Sequence, residues 1–289
     1  PRPARPADAA RAARPARGTD PLPAPALSTG GIVRHALTFT VKPGSERAVH
    51  QLLSGYRSPH AEVDATTRLC RTSLFMHGNR VVRAVEVQGD LGNALRHVAM
   101  QPGVRAVEEA INPYLEEARD LTDPASARAF FARAALPAVH HCGARPAAAA
   151  GPLTRSAFLY PVRPGGGEAA AKLLAEQDRA AVAEPGSPLA GSSMFRTGDL
   201  LVRMVDLRGP HQDAPVAAAG IPPGGAGAAI ARYLDLEYLD LPADTDLSTE
   251  PGLARFLAAC VMDLVTDRHA ASPEPHAAGG ARTTHATGE

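Results

Sequence analysis

The chain has 289 residues, in which 30 lysines and arginines balance 30 aspartates and glutamates, and it contains no tryptophan. Nucleic-acid binding is not expected, because there is no basic excess and only 4% of the residues are aromatic. The three cysteines are odd in number and far apart, which is not the pattern of a disulfide framework. Because no apolar run reaches the roughly 18 residues that span a bilayer, we expect a cytoplasmic protein without a membrane partner.

The two ends of the chain differ in composition from the rest. Residues 1–31 are rich in Pro, Arg and Ala and lack the apolar segment of a secretory signal, so they predict a disordered extension. Residues 271–289 predict a disordered tail on similar grounds. The chain between them is expected to form two units, residues 32–145 and 146–270.

These two units are related by an internal repeat. The aligned segments are His35–Leu53 with Ser156–Leu174, Arg71–Val87 with Ser192–Leu207, and Ala99–Glu117 with Ala219–Glu237. In chain order they predict a strand, a Pro-Gly turn and a helix, then a β-hairpin, then a helix that runs into a strand. A further helix, with a polar cap and an early Pro, is predicted over residues 121–141 and again over residues 247–269.

The predicted fold class is therefore α+β. The order β-α-β-β-α-β is the ferredoxin-like plan, in which two helices cover one face of a four-stranded antiparallel sheet. Two such units packed sheet to sheet would bury both bare faces around a barrel-like core. The sequence thus predicts tandem ferredoxin-like repeats packed like a dimeric α/β barrel, with appended helices.

The first hairpin allows its side chains to be assigned to faces. A two-residue loop at Gly78 and Asn79 predicts that His77 faces Arg80, and the alternation then follows along both strands. One predicted face carries Arg71, Ser73, Phe75, His77, Arg80, Val82, Ala84 and Glu86. The other face carries Thr72, Leu74, Met76, Val81, Arg83 and Val85.

Polar residues that occur in only one copy are candidates for chemistry, because residues shared by both copies more often serve the fold. His35 aligns with Ser156, His77 with Thr197, and Asn112 with Ala231. We therefore expect a functional cavity in the first unit. The candidate bases are His77 and His35, since histidine titrates near neutral pH. The candidate substrate-binding residues are His60, Arg71, Arg83, Glu86, Asn112 and Tyr114.

Each candidate also has a structural explanation, which the sequence leaves open. A histidine beside a hairpin turn is commonly a solvated turn residue, and Arg71 opposite Glu86 is also explained as a cross-strand ion pair. Arg83 recurs as Arg203 in the second copy, which favours a role in the fold. Tyr114 is amphipathic and suits either a pocket wall or the edge of a core.

Metal and nucleotide sites are not expected. The run His140-His141-Cys142 places adjacent side chains in different directions, and no second cluster at metal-ligand spacing follows it. The glycine-rich runs at residues 163–168 and 222–230 lack both the Lys-Ser/Thr of a phosphate-binding loop and the spacing of a dinucleotide fold. The expectation is a protein that uses no cofactor and no metal.

The segments RHALTFTVKPGSERAV, TTRLCRTSLFMHGNRVVRAVEVQGDLGNALRHVAMQPGVRAVEEAINPYLEEARDL and ARAFFARAALPAVHH resemble the SchA/CurD-like proteins. That family is encoded in aromatic (type II) polyketide gene clusters, including those for spore pigments. The likeness covers residues 34–141 strongly and the second repeat more weakly. It implies a role in tailoring aromatic polyketides, and the predicted fold is similar to that of antibiotic-biosynthesis monooxygenases that need no flavin or metal.

The leading hypothesis from the sequence is a cofactor-independent monooxygenase that acts on a polyphenolic polyketide and O₂. Two alternatives stay open: a polyketide cyclase or aromatase that uses the same base, and a non-catalytic partner that binds an intermediate. Whether other polyketide synthase subunits are also partners is open as well. So is the choice between a monomer with an internal pseudo-dimer and a homodimer.

Overall fold

A computed structural model of the chain describes residues 27–55, 59–144 and 152–269. The first half contains β1 (Ser28–Thr29), β2 (Ile32–Thr40), α1 (Glu46–Gly55), β3 (Arg68–His77), β4 (Arg80–Gln88), α2 (Leu91–Met100), α3 (Pro102–Ile111), α4 (Pro124–Ala134) and β5 (Ala135–Gly143). The second half contains β6 (Thr154–Pro161), α5 (Gly167–Ala183), β7 (Leu189–Thr197), β8 (Leu200–Leu207), α6 (Pro215–Ala219), α7 (Gly225–Ala231), α8 (Glu250–Cys260) and β9 (Val261–His269).

The strands form one antiparallel sheet that closes into a barrel. Its order is β1-β2-β4-β3-β9-β6-β8-β7-β5, and β5 also pairs with β2, so that the eight strands β2 to β9 complete the ring. A barrel of this size has an interior that side chains fill. The buried residues that fill it come from both halves and include Ala36, Phe75, Val82, Leu159, Phe195 and Met204. The predicted α+β fold with a shared barrel-like core is confirmed to this extent.

The position of the last strand of each half differs from the prediction. The strand expected at the end of the third aligned segment is reduced to an isolated bridge, between Val41 and Leu115 in the first half and between Val162 and Leu234 in the second. The last strands, β5 and β9, instead follow α4 and α8 directly. Because no loop separates helix from strand, the sequence offers no turn signal there, and the prediction extended the helix too far.

Both last strands are shared between the halves. Residues 135–137 of β5 pair with β2, and residues 138–143 pair with β7. In the same way β9 pairs with β6 at its start and with β3 along residues 263–269. Each half therefore completes the sheet of the other.

The hairpin register agrees with the prediction. Arg71 pairs with Glu86, Phe75 with Val82, and His77 with Arg80. The side chains of one face, such as Phe75 and Val82, lie in the barrel interior. Those of the opposite face, including Leu74, Met76 and Val81, pack in the layer between sheet and helices. A register shift between Leu69 and Arg71 marks a bulge at the start of β3.

Two aspartates fix the starts of the helices that cover β2 and β4. Asp90 accepts a hydrogen bond from the backbone N–H of Asn93 and caps α2. Asp123 accepts from the backbone N–H groups of Ala125 and Ser126 and caps α4, which has Pro124 in its first turn. A cap of this kind stabilises a helix by about 1 kcal/mol. The caps hold α2 and α4 over one outer face of the barrel.

Two further findings bear on the sequence predictions. Residues 28 and 29, assigned to the disordered extension, form β1 and pair with Val33 and Ile32. The remainder of that extension and the predicted tail lie outside the described residues. In the described part of the chain, no helix is both long enough and apolar enough to cross a membrane.

Candidate functional site

A cavity of about 820 Å³ lies in the first half, between the outer face of the sheet and helices α2, α3 and α4. Its volume is within the range of roughly 300–1,000 Å³ that is usual for small-molecule sites. The wall is mainly apolar and includes Leu37, Phe39, Val85, Leu95, Val104 and Phe130. The arrangement suits a mainly apolar small molecule.

The equivalent space in the second half is packed with side chains. Phe158 and Tyr160, which align with Leu37 and Phe39, are fully buried there. The Tyr160 ring lies 5.5 Å from that of Phe256, and its hydroxyl donates to the Ala219 carbonyl at 2.6 Å. Larger side chains on the sheet thus pack in this layer, so the two halves differ in the capacity to hold a ligand.

One corner of the cavity is charged. Arg83 Nη1 donates to Glu108 Oε1 at 2.7 Å, and Arg119 Nη2 donates to Glu108 Oε2. The Arg119 guanidinium also lies over the Phe130 ring, 4.4 Å from its centroid. Burial alone would raise the pKa of Glu108, but the two guanidinium groups outweigh burial and hold that pKa below its usual value. Among the described residues, two guanidinium groups thus share the Glu108 carboxylate at this corner.

The matching arginine of the second half is neutralised differently. Arg203 is fully buried and pairs with Asp178 at 2.6 Å. It also donates to the backbone carbonyls of Ala217, at 2.9 Å, and Ala218. Burial alone would lower the pKa of Arg203, but Asp178 raises it above the usual value. The positive charge of Arg203 is therefore balanced by the negative charge of Asp178.

His35 stands in the sheet wall of the cavity and is only 5% exposed. Burial lowers its pKa to about 4, so its imidazole is neutral at neutral pH. Its Nδ1 is buried without a hydrogen-bond partner. Asn112 and Arg119 also line the cavity, and Asn112 Oδ1 and Arg119 Nε are likewise buried without a hydrogen-bond partner. Buried polar atoms without partners beside a cavity are typical of a site that receives a polar ligand.

The amide of Asn112 has a defined orientation. Its Nδ2 donates to the backbone carbonyl of Arg119 at 3.0 Å, which leaves Oδ1 as the acceptor. Asn112 begins a short 3-10 turn at the end of α3. The residue therefore ties that helix end to the segment that carries Arg119.

Arg71 and Glu86 lie elsewhere, on the barrel-interior face. Arg71 donates to Asp267 at 2.8 Å and to Asp206 at 3.1 Å, and Glu86 accepts from Arg155 at 2.8 Å. The two residues are opposite each other across the strands as predicted. Their ion-pair partners, however, are Asp206 and Asp267 for Arg71 and Arg34 and Arg155 for Glu86. This network joins the two halves of the barrel.

The remaining candidates also lie away from the cavity wall. His77 Nε2 is 2.7 Å from the Ala259 carbonyl of α8. His60 is exposed, and its backbone N–H donates to Gln101 Oε1 at 2.8 Å. Tyr114 packs against the core of the layer formed by α1 and α3. Of the sequence-predicted site residues, His35, Arg83 and Asn112 are brought together at the cavity, and the others are not.

Two residues of the charged corner were missed by the sequence analysis. When the bridge residues Leu115 and Leu234 are aligned, Glu108 corresponds to Gly227. A comparison of polar residues between the copies could have found Glu108. Arg119 follows the aligned segments, so no comparison between copies points to it. Within the described ranges, no group of three or more His, Cys, Asp or Glu side chains is placed to hold a metal ion.

The fold and the cavity together define an antiparallel barrel protein of the α+β class with a candidate small-molecule site in its first half. Residues 32–144 match the SchA/CurD like domain. The first half of the chain thus carries a SchA/CurD-like domain, which confirms the resemblance found in the sequence.

Two relatives show how far the similarity extends. The chain is 54% identical over 243 residues to the protein named polyketide synthase CurD of Streptomyces cyaneus, covering 84% of this chain and 65% of that protein. It is 53% identical over 258 residues to a 42.8 kDa protein in the whiE locus of Streptomyces coelicolor, covering 89% of this chain and 64% of that protein. The chain thus spans somewhat less than two thirds of the length of these relatives.

Among solved structures, the chain is similar to one described as an anthrone oxidase-like protein. The TM-score is 0.36 and the identity 11%, over 85% of this chain and 96% of that one. A TM-score this low carries no argument about fold or function.

Proposed function

We propose that the chain is a tailoring enzyme of aromatic polyketide biosynthesis, and that it acts as a cofactor-independent monooxygenase on a polyphenolic intermediate. The observation that carries the proposal is the apolar cavity of the first half, which has His35 in its wall and two largely buried guanidinium groups, those of Arg83 and Arg119, at one corner. The family and the name polyketide synthase carried by one relative support the substrate class.

Binding rests on the aromatic and aliphatic wall. Phe39, Phe130 and Phe131 line the cavity together with branched aliphatic side chains. Such a wall favours stacked or edge-on contact with fused rings and excludes water from a reactive anion. The volume of about 820 Å³ has room for a molecule of several fused rings.

The first chemical step is removal of a proton by His35. Its low pKa keeps the imidazole neutral and able to accept a proton at neutral pH. A base with so low a pKa is weak in the free protein, but the anion formed beside it stabilises the imidazolium in an apolar site. The guanidinium groups of Arg83 and Arg119 stabilise the same anion from the corner.

The second step is reaction of the anion with O₂, which the electron-rich ring system reduces itself. For an anthrone, the ring methylene loses two hydrogens and gains one oxygen atom as a carbonyl. The second oxygen atom leaves with those hydrogens as water, so the substrate supplies all the electrons that O₂ accepts. No flavin, nicotinamide or metal takes part in this scheme.

The test is oxygen uptake by the purified chain with an anthrone, without added cofactor and with a chelator present. We expect one O₂ consumed per quinone formed, and a loss of this activity in His35→Ala. His50→Ala, on α1 and away from the cavity wall, serves as the matched control. A changed product without oxygen uptake would replace the proposal with a cyclase, and no turnover of several substrates would favour a non-catalytic binding protein.

We also propose that residues 32–145 and 146–270 are copies of one ferredoxin-like unit whose last strands are exchanged. The order of the first three strands, β2-β4-β3 and β6-β8-β7, is the same in both halves, which supports the proposal. One chain would then contain the barrel that two separate units form elsewhere.

A further inference from the structure

We propose that Asn112 selects the ligand of this cavity, because its amide oxygen accepts a hydrogen bond from an un-ionised hydroxyl group on an aromatic ring. The inference rests on the proposed function in one respect, since it takes the same cavity as the ligand site. It adds a chemical feature of the substrate, a neutral ring hydroxyl, and the residue that recognises it.

The side chain of Asn112 offers an unused acceptor. Its Nδ2 donates to the backbone carbonyl of Arg119 at 3.0 Å, and only the N–H end of an amide can donate to a carbonyl. The end left over is therefore Oδ1. That oxygen is buried, and among the described residues it has no hydrogen-bond partner. Because an amide oxygen only accepts, the group that pairs with it must carry an O–H or N–H.

Backbone contacts on both sides fix the position of this amide. The backbone N–H of Asn112 donates to the Glu109 carbonyl at the end of α3, and its carbonyl accepts from the Leu115 N–H at 3.2 Å. Leu115 in turn bridges to Val41, which directly follows β2. An acceptor held in this way is preorganised, so a ligand does not have to order it on binding.

The second half shows that the fold does not need an amide at this position. When the bridge residues Leu115 and Leu234 are aligned, Asn112 corresponds to Ala231, the last residue of α7. Ala231 has no polar side chain, yet the second half forms the same bridge after its helix. The amide thus occurs in the half that contains the cavity and not in the half where side chains fill the layer.

A ligand hydroxyl gains from this acceptor what other ligand groups do not. A hydroxyl that enters an apolar cavity loses its hydrogen bonds to water, and Asn112 Oδ1 replaces one of them. A ligand without a donor leaves the buried oxygen unpaired, and a methoxy oxygen in the same place brings two acceptors together. An ionised phenol has no proton to donate, so the recognised hydroxyl is the neutral form.

A hydroxyl held at Asn112 also orients the substrate. His35 lies in the sheet wall on β2, and Asn112 lies at the end of a helix that covers the sheet. A ring system held by its hydroxyl on the helix side presents a defined edge to the base on the sheet side. The proton that His35 removes in the proposed reaction comes from a ring carbon, so the bound hydroxyl keeps its own proton.

The experiment compares three probes: 2-hydroxyanthraquinone, 2-methoxyanthraquinone and anthraquinone. A probe with a single hydroxyl can turn in the cavity until that group reaches Asn112. Dissociation constants are measured at about pH 6, where the hydroxyl is mainly un-ionised. We expect 2-hydroxyanthraquinone to bind about tenfold more tightly than either of the other two. Equal affinity for the three probes, or weaker binding of the hydroxyl compound, would overturn the inference.

Two variants separate recognition from a purely structural role of Asn112. Asn112→Leu removes the acceptor at similar size and should reduce the preference for the hydroxyl compound to within about twofold. Asn112→Asp keeps an acceptor oxygen but, like Asn112→Leu, cannot donate to the Arg119 carbonyl. We expect Asn112→Asp to retain the preference. If both variants lose it equally, Asn112 acts only by tying α3 to the segment of Arg119, and the inference is wrong.

The matched control is Thr122→Val, at another polar residue of the cavity wall. The Thr122 hydroxyl is exposed and already donates to Asp120 Oδ1 at 2.6 Å, so its loss should leave the ratio of the dissociation constants within twofold. The ratio also guards against distortion of the cavity, because a distorted cavity weakens all three probes alike. Circular dichroism checks that each variant is folded, and the wild-type comparison stands without them.

The outcomes also separate this inference from the proposed function. Oxygen uptake with an anthrone, but no preference for the hydroxyl probe, supports the monooxygenase and contradicts the inference. A preference that depends on Asn112, without oxygen uptake, supports the inference and contradicts the monooxygenase. Failure of all three probes to bind contradicts both the inference and the cavity as the site of the proposed reaction.

Discussion

Arg83 and Arg203 occupy equivalent positions in the two halves, yet Arg83 shares Glu108 with a second arginine and Arg203 has Asp178 to itself. The carboxylates come from different helices, Glu108 from α3 and Asp178 from α5. One position of the repeated hairpin therefore packs in the core of the second half and lines a cavity in the first. Recurrence in both copies does not establish that a residue is only structural.

Removal of the Asp178 carboxylate is expected to destabilise the protein strongly. Asp178→Asn would leave the fully buried guanidinium of Arg203 without its counter-charge, and a broken buried pair costs about 3–5 kcal/mol in the free energy of unfolding. The measurement is urea unfolding at neutral pH. Glu176→Gln, at an exposed position of the same helix, is the control and should change the free energy by less than about 0.5 kcal/mol. A cost for Asp178→Asn as small as that of the control would contradict this account.

The parts of the fold that were predictable are those with a local signal. The turn at Gly78 and Asn79 fixes the register of β3 and β4, because a two-residue loop permits one pairing only. The repeat predicted a shared barrel, since each bare sheet face needs a partner. The exchange of β5 and β9 was not predictable, because it depends on pairings between residues nearly 200 positions apart, such as Arg71 with Asp267.

The candidate site was predictable only in part. His35 and Asn112 differ from their counterparts in the second copy, and this contrast indicated the first unit. His77 shows the same contrast, but the hairpin directs it to α8 rather than to the cavity. Arg119 has no motif or repeat partner, and its role depends on a buried ion pair that forms only when the segment after α3 folds back.

A larger side chain should fill the cavity of the first half in the way that side chains fill the equivalent layer of the second half. Leu37→Phe introduces the residue that aligns with it in the second half, Phe158, and should fill part of the cavity. We expect a loss of about tenfold or more in affinity for an anthraquinone probe, with the free energy of unfolding unchanged or raised. Both are measurable by fluorescence titration and urea unfolding. Unchanged affinity would show that ligands bind elsewhere.

The reciprocal change provides the control. Phe158→Leu removes a fully buried ring from the packed layer of the second half. We expect a cost of about 1–3 kcal/mol in the free energy of unfolding from the space left behind. Affinity for the probe should stay within twofold of wild type, because Phe158 does not line the cavity.

The pH dependence of the proposed reaction should reflect the low pKa of His35. Because the free base is present above about pH 4, kcat/KM should not fall between roughly pH 8 and pH 5.5. An ordinary histidine would impose an acid limb near pH 6.5. His35→Ala should lower kcat by about 100-fold or more, which is the usual contribution of general base catalysis. An acid limb near 6.5 that disappears in a variant of another histidine would assign the base to that residue.

Two histidines should also make folding sensitive to mild acid. Burial lowers the pKa of both His35 and His141 from 6.5 to about 4. Between these values the unfolded chain binds protons that the folded chain does not, so the free energy of unfolding falls as the pH falls from about 6.5 to about 4. The full effect is on the order of 3 kcal/mol for each group. Above pH 6.5 both imidazoles are neutral in the folded and in the unfolded chain, so neither makes the free energy of unfolding depend on pH.

The measurement is urea unfolding at intervals from pH 7.5 to pH 4.5. His141 accepts or donates one hydrogen bond, between Nδ1 and Ser193 Oγ at 2.9 Å, which an asparagine side chain can replace. His141→Asn should therefore reduce the slope of stability against pH, and His50→Asn on α1 should leave it unchanged. If the slope in the wild-type protein is flat across this range, the two imidazoles are not held neutral by burial.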